Sequence, residues 1–255
     1  MLTNEQIQEF YDKGFIHIKN AFSREAAATM ESVVWDLLAK KHQVKKSDPA
    51  TWPTHVFKLQ TLKTHEAFQA IGSDVTINVI NDFFGNGRWK KPKDWGQFLV
   101  TFPEADTWTV PADWHIDYGY STPLKPLKGL MVFSFFGDVP AQGGGTAVVQ
   151  GSHRLIAKFM KRSPWLSGAK QRQSRLTFMK SDPWLKNLSS EDAVPDRMAE
   201  FMAKSQIIDG IPLRVRELTG KAGDIVVGHP LLLHAKALNC NVWPRFMCIQ
   251  RIQED

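Results

Sequence analysis

The 255-residue chain has 43% hydrophobic and 23% charged side chains and a formal charge of +6, enough apolar material for one sizeable core in a single domain, 1–255. It has no run of about 18 apolar residues, which excludes a membrane-spanning helix, and its two cysteines, Cys240 and Cys248, exclude a disulfide framework. The basic clusters (Lys40-Lys41, Lys45-Lys46, Lys90-Lys91 with Lys93, and Lys170-Gln171-Arg172) are short and accompany no nucleic-acid motif, so they read as solvated surface and no nucleic-acid partner is expected.

The opening residues, Met1-Leu2-Thr3-Asn4-Glu5-Gln6, lack the cationic start and apolar run of a signal peptide, and Gln253-Glu254-Asp255 is not a peroxisomal ending. A soluble, cytoplasmic protein is expected. Thr3-Asn4-Glu5-Gln6 resembles a capping box and predicts a helix over Thr3 to Asp12, followed by a strand at Gly14 to Ile18. Ser23 to Lys41 repeats apolar residues at helical spacing. Strands are predicted at Phe98–Phe102, Gly129–Phe136, Thr146–Gln150, Leu213–Leu218, Asp224–Val227, Leu231–Ala235 and Arg245–Ile252. Many short strands point to a sandwich or barrel, and the absence of regular strand-helix alternation argues against a doubly wound sheet. Between them, Leu155 to Ser205 forms an insert rich in aromatics and methionine, either a lid on a substrate pocket or a helical excursion packed on the strands.

One tripeptide carries chemistry. In a strand, residues two apart point to the same face, so His115 and Asp117 of His115-Ile116-Asp117 can approach one metal together. A further imidazole completes a two-histidine, one-carboxylate set, which leaves positions open on a non-haem Fe(II). His234, at the end of Gly223 through Leu233, is the leading candidate, with His229 its competitor. Arg245 follows and opens the last strand; its planar guanidinium can grip a carboxylate by two parallel hydrogen bonds.

With these motifs, with Gly143-Gly144-Gly145-Thr146 leading to Gly151-Ser152-His153, with Asn239, and with Phe57-Lys58-Leu59-Gln60, the chain resembles the phytanoyl-CoA dioxygenase family of Fe(II)- and 2-oxoglutarate-dependent oxygenases over most of its length. The resemblance implies a mainly β fold with helical decoration, a double-stranded β-helix barrel of the jelly-roll or cupin-like kind. It implies His115, Asp117 and His234 as iron ligands and Arg245 as the clamp for the distal carboxylate of 2-oxoglutarate, with O2 as oxidant. Lys58, Phe98 and Phe135 would line the co-substrate pocket. Thr146 would either donate a hydroxyl to the same carboxylate or be an ordinary strand residue. Lys236 departs from the small polar residue some relatives carry two places after the distal histidine. Retention of Asp117 disfavours halogenation. His153 would support the site from behind.

The implied activity is oxidation, by default hydroxylation, of a small organic substrate, with release of succinate and CO2. The alternatives are a metal-dependent hydrolase or isomerase on a cupin-like barrel, against which Arg245 argues, and a non-catalytic binding protein of the same fold, against which the intact triad argues.

Overall fold

A computed structural model describes residues 1–53, 59–117, 124–163, 165–166 and 170–255. The N-terminal capping box is formed. Thr3 accepts from the Gln6 N–H at 3.2 Å and the Gln6 side chain accepts from the Thr3 N–H at 2.9 Å, starting α1 (Asn4–Lys13). Gly14, at φ +89°, stops the helix and donates its N–H to the Phe10 carbonyl; a Cβ there would lie 2.6 Å from His153 Nδ1. β1 (Phe15–Ile18) follows, and Ser23 caps α2 (Arg24–His42), whose Ala27, Met30, Val34, Trp35 and Leu38 form one buried stripe. A third helix not anticipated from the sequence, α3 (Asp74–Phe84), is capped by Ser73 and buries Val79, Ile80 and Phe84.

Nine strands among the described residues make two antiparallel sheets. The first has the order β1-β7-β3-β9-β2, from β1, β2 (Gln97–Thr101), β3 (Gly129–Phe135), β7 (Ile225–Gly228) and β9 (Arg245–Gln253). The second has the order β5-β6-β4-β8, from β4 (Ala147–Gln150), β5 (Gln206–Ile208), β6 (Ile211–Glu217) and β8 (His234–Ala235).

Side-chain alternation divides the core into layers. Leu130 and Val132 of β3, with Phe246 and Cys248 of β9, join the cluster that includes α1, α2 and α3. The intervening Met131, Phe133, Phe135, Met247 and Ile249 meet Val148 of β4 between the sheets. The far face of the second sheet, through Ala147, Val149, Leu213 and Val215, packs on Phe178, Trp184, Leu185 and Phe201 of the insert. Within the insert lie α4 (Ser152–Arg162), α5 (Gln171–Met179), α6 (Pro183–Leu188) and a π-helical turn at Ala199–Ala203. Truncating a fully buried ring such as Phe178 to alanine would cost about 3–5 kcal/mol.

Three expectations change. Among the described residues the two antiparallel sheets face each other with open edges, so the expected barrel is not closed. The strand expected over Leu231–Ala235 contracts to His234–Ala235, because Leu232 spends its N–H on a turn to the His229 carbonyl at 2.9 Å. His115-Ile116-Asp117 is not a strand: His115 makes one isolated antiparallel bridge, to His234, and the chain bends at Asp117. None of the helices described is long and apolar enough to cross a membrane.

Candidate metal centre and its cavity

The bridge itself assembles the site. His115 and His234 exchange both backbone hydrogen bonds, each 2.9 Å, which places them directly opposite one another and brings their ring centroids to 4.4 Å. The bend then returns Asp117 to the pair, with Oδ1 3.9 Å from His115 Nε2 and Oδ2 3.6 Å from His234 Nε2. One donor atom from each of the three residues lies within 4.8 Å of the others, a group able to hold a metal ion.

The surroundings orient these donors and shift the pKa of two of them. His234 Nδ1 donates to the Leu232 carbonyl at 2.9 Å, so Nε2 is the ring nitrogen turned toward the site. Burial lowers the His115 pKa below the ordinary imidazole value, and the neighbouring His234 lowers it further against the opposing pull of Asp117. Burial raises the Asp117 carboxyl, but hydrogen bonds and charge from His234 and Arg251 outweigh it and hold the group well below the usual carboxylate range.

Beside the triad a cavity of about 190 Å³ runs along the inner face of β9. That face carries Arg245, Met247, Ile249 and Arg251 at period two, so the strand presents a guanidinium at each end of the cavity. Arg251 lies at the triad end and also donates to Gln97 Oε1 at 2.9 Å. Arg245, 3% exposed, donates from Nε to the Leu99 carbonyl at 3.0 Å and from Nη1 to the Gly144 carbonyl. Burial pulls its pKa down to about 10, so it remains charged at neutral pH. Its register partner Thr101 also lines the cavity, with a buried hydroxyl that has no hydrogen-bond partner among the described residues.

The glycine run supports this end. Glu217 accepts from the N–H groups of Gln142 and Gly145 at 2.7 and 2.9 Å, which folds Gly143 to Gly145 beneath Thr146. Thr146 is buried and lines the cavity. Lys236 also borders it, with its ammonium donating to Glu104 Oε2 at 2.8 Å.

The softer sequence assignments divide. Phe98 borders the cavity, but its ring packs edge-on against Phe68 and Phe136, at centroid distances of 4.8 and 6.3 Å, in the helix-facing core. Phe135 does not border it. Phe135 is fully buried against Gly220, and Phe133, two residues earlier on the same strand face, takes the lining position. Lys58 lies outside the described residues. His229 stays apart from the triad, between Phe10 and His153 with its Nδ1 accepting the Leu231 N–H at 3.1 Å, so of the two competing histidines His234 joins the site. Arg251 and Thr101 were missed. The alternation of β9 carried the signal for Arg251, whereas Thr101 becomes visible only through its pairing with Arg245.

A second, larger cleft of about 540 Å³ shares His115 and Asp117 with this cavity, and its other walls are Asp113, Ile116, Trp165, Gln171, Arg172 and Arg175.

No family model matches the sequence, and none of the curated proteins matches it. Solved structures do. AviO1 from Streptomyces viridochromogenes Tue57 is 14% identical with a TM-score of 0.57, the match covering 100% of this chain and 97% of that one. A non-heme monooxygenase, ThoJ in a nickel complex, is 15% identical with a TM-score of 0.55, over 97% of this chain and 76% of that one. EctD from S. alaskensis, with 2-oxoglutarate and 5-hydroxyectoine, is 15% identical with a TM-score of 0.55, over 99% of this chain and 76% of that one. At these identities the likeness establishes a shared fold.

Proposed function

We propose that the protein is a non-haem Fe(II)- and 2-oxoglutarate-dependent dioxygenase of the phytanoyl-CoA dioxygenase type, built as a single jelly-roll domain and oxidising a small organic substrate. One observation carries the reading. A single cavity has two histidines and a carboxylate at one end and a buried guanidinium with two hydroxyl-bearing side chains at the other. The fold likeness supports it, since ThoJ is a non-heme monooxygenase crystallised with nickel and EctD was crystallised with 2-oxoglutarate.

The residues present fit both groups. Two imidazole nitrogens and one carboxylate oxygen form the donor set of a non-haem Fe(II) facial site. The orphaned Thr101 hydroxyl and the charged Arg245, which uses Nε and Nη1 on carbonyls and has no partner for Nη2 among the described residues, fit a carboxylate that enters from the cavity. When bound, iron and 2-oxoglutarate would supply, with O2 as the oxidant, an oxidative decarboxylation to succinate and CO2 coupled to oxidation of a substrate C–H bond.

The chain supplies position and charge. His115, Asp117 and His234 would hold the metal. Arg245, Thr101 and Thr146 would neutralise and orient the distal carboxylate. Leu99, Phe133 and Ile249 give the cavity apolar walls that exclude water along its length. Hydroxylation is the expected outcome, because Asp117 retains the carboxylate ligand position that a halogenating site leaves open. A hydrolase or isomerase on the same ligands has no use for a buried carboxylate clamp.

Anaerobic titration of the Fe(II)-loaded protein with 2-oxoglutarate tests the reading through the visible charge-transfer band of a chelated keto acid. The band is expected. Its absence with iron demonstrably bound would overturn the oxygenase assignment.

A further inference from the structure

We propose that the 540 Å³ cleft is an anion-recognition subsite, in which Arg172 and Arg175 of α5 bind a carboxylate or phosphate group of the substrate beside the metal ligands. It deepens the oxygenase reading, on which it rests only for calling the ligand a substrate.

Placement is the first argument. The cleft borders His115 and Asp117, so a ligand anchored on α5 has its remaining atoms next to the metal centre. Its volume falls in the range of small-molecule sites. The insert is held to the metal-binding segment at two points: Gln171 Nε2 donates to the Ile116 carbonyl at 3.3 Å, and Arg175 Nη1 reaches Asp113 Oδ1 at 3.2 Å. Because these contacts flank His115, the guanidinium groups of α5 are positioned relative to the site and not merely near it.

Charge is the second. α5 begins with Lys170 at its cap position and Arg172 in its first turn and has no acid in that turn. Cations at a helix N-terminus oppose the helix dipole, and a bound anion would relieve them. Arg172 is exposed, with no partner among the described residues. Two acids face the cleft. Asp117 is already matched by Arg251, and Asp113 has an 89% exposed side chain, making its pair with Arg175 a solvent-screened one that an incoming anion can replace.

Trp165, 4% exposed, closes one wall of the cleft, its ring held against Phe159 and Phe178.

The test is ligand-observed NMR on the full chain loaded with zinc in place of iron, using benzoate, phenyl phosphate and the neutral isostere benzamide as probes. At least one anion should bind tenfold or more tightly than benzamide; whichever anion is tighter identifies a carboxylate or a phosphate as the group recognised. Arg172→Gln, at an exposed site, should reduce the preference, and Arg172→Gln with Arg175→Gln should abolish it at unchanged melting temperature. Failure of both anions to bind, benzamide binding as well as they do, or a folded double variant that keeps the preference would overturn the proposal. The keto-acid band measured on the iron-loaded protein separates the two readings: anion preference without the band leaves the subsite and removes the oxygenase, and the band without preference does the reverse.

Discussion

Arg251 donates from Nε to Asp117 Oδ2 at 2.9 Å, with Nη2 paired to the same oxygen at 2.8 Å, while Oδ1 faces His115 Nε2 at 3.9 Å. The carboxylate is thus oriented by one cation on β9, with Oδ1 toward His115 and Oδ2 3.6 Å from His234 Nε2. Charge-assisted bonds of this kind are strong, and partners that orient metal ligands commonly contribute a further 10- to 100-fold in affinity.

Arg251→Ala should therefore weaken metal binding about 10- to 100-fold with all three ligands intact. Arg251→Lys should recover only part of that loss, because an ammonium is a point charge and cannot hold the oxygen through two fixed donors. Competition against a calibrated chelator measures the effect. Wild-type affinity in Arg251→Ala would show that Asp117 does not depend on this grip.

Arg245→Ala separates the two ends of the cavity. Metal affinity should be unchanged, since Arg245 sits at the end away from the triad, while 2-oxoglutarate affinity should fall roughly 10- to 100-fold, the equivalent of losing about 1.5–3 kcal/mol of charged hydrogen bonding. Thr101→Val removes the orphaned hydroxyl at near-constant shape and should give a smaller loss in the same titration. A keto-acid band forming at wild-type concentration in Arg245→Ala would remove the arginine from the clamp role.

These assignments show what the sequence made legible. Thr3 with Gln6 and Ser23 announced α1 and α2, because capping is local chemistry within four residues. The strands of the first sheet were visible in the apolar runs of β3 and β9, which are buried on both faces. The triad was legible because its residue types are rare in that order, yet the reason it assembles was not. That reason is a bridge between residues 119 positions apart, and no local pattern encodes such a pairing. Phe135 and Phe133 share a strand face, so periodicity could not decide which of them reaches the cavity. The open edges of the two sheets likewise depend on pairings that individual strand patterns do not specify.

Gly145 tests how tightly the Arg245 end of the cavity is built. A Cβ there would collide with the carbonyl oxygen of Leu218 and lie 3.0 Å from Glu217 Cγ, and neither backbone nor strand can move without displacing Thr146. Gly145→Ala should destabilise the fold by about 3 kcal/mol or more, a core-overpacking cost, and lower the melting temperature accordingly. Gly210→Ala provides the contrast: nothing lies within 4 Å of a Cβ there, and the cost is limited to its φ of +73°. Equal melting temperatures for Gly145→Ala and wild type would show that the strand relaxes around the added methyl.

Acid should loosen the packing behind the site through His153 and His229. The two rings lie 5.0 Å apart and fully buried, against α1 and the turn that leads to His234. Burial lowers the His153 pKa to about 4, with Arg154 lowering it and the Tyr11 carbonyl, which accepts from Nε2 at 2.9 Å, opposing the shift. Burial and His153 lower His229 well below the ordinary imidazole value. A histidine whose folded-state pKa lies below its unfolded value binds its proton first in the unfolded chain. Its contribution is therefore complete above about pH 6.5 and is lost as pH falls toward 4. For His153 alone the loss is on the order of 3 kcal/mol. Thermal melts from pH 7.5 to pH 4.5 should show a decline beginning near pH 6.5, and His153→Gln, which keeps a donor for the Tyr11 carbonyl but cannot titrate, should flatten it. A decline of equal slope in His153→Gln would place the acid sensitivity elsewhere, with the carboxylate of Asp224 that ties His17 and Asn20 to β7 the next group to test.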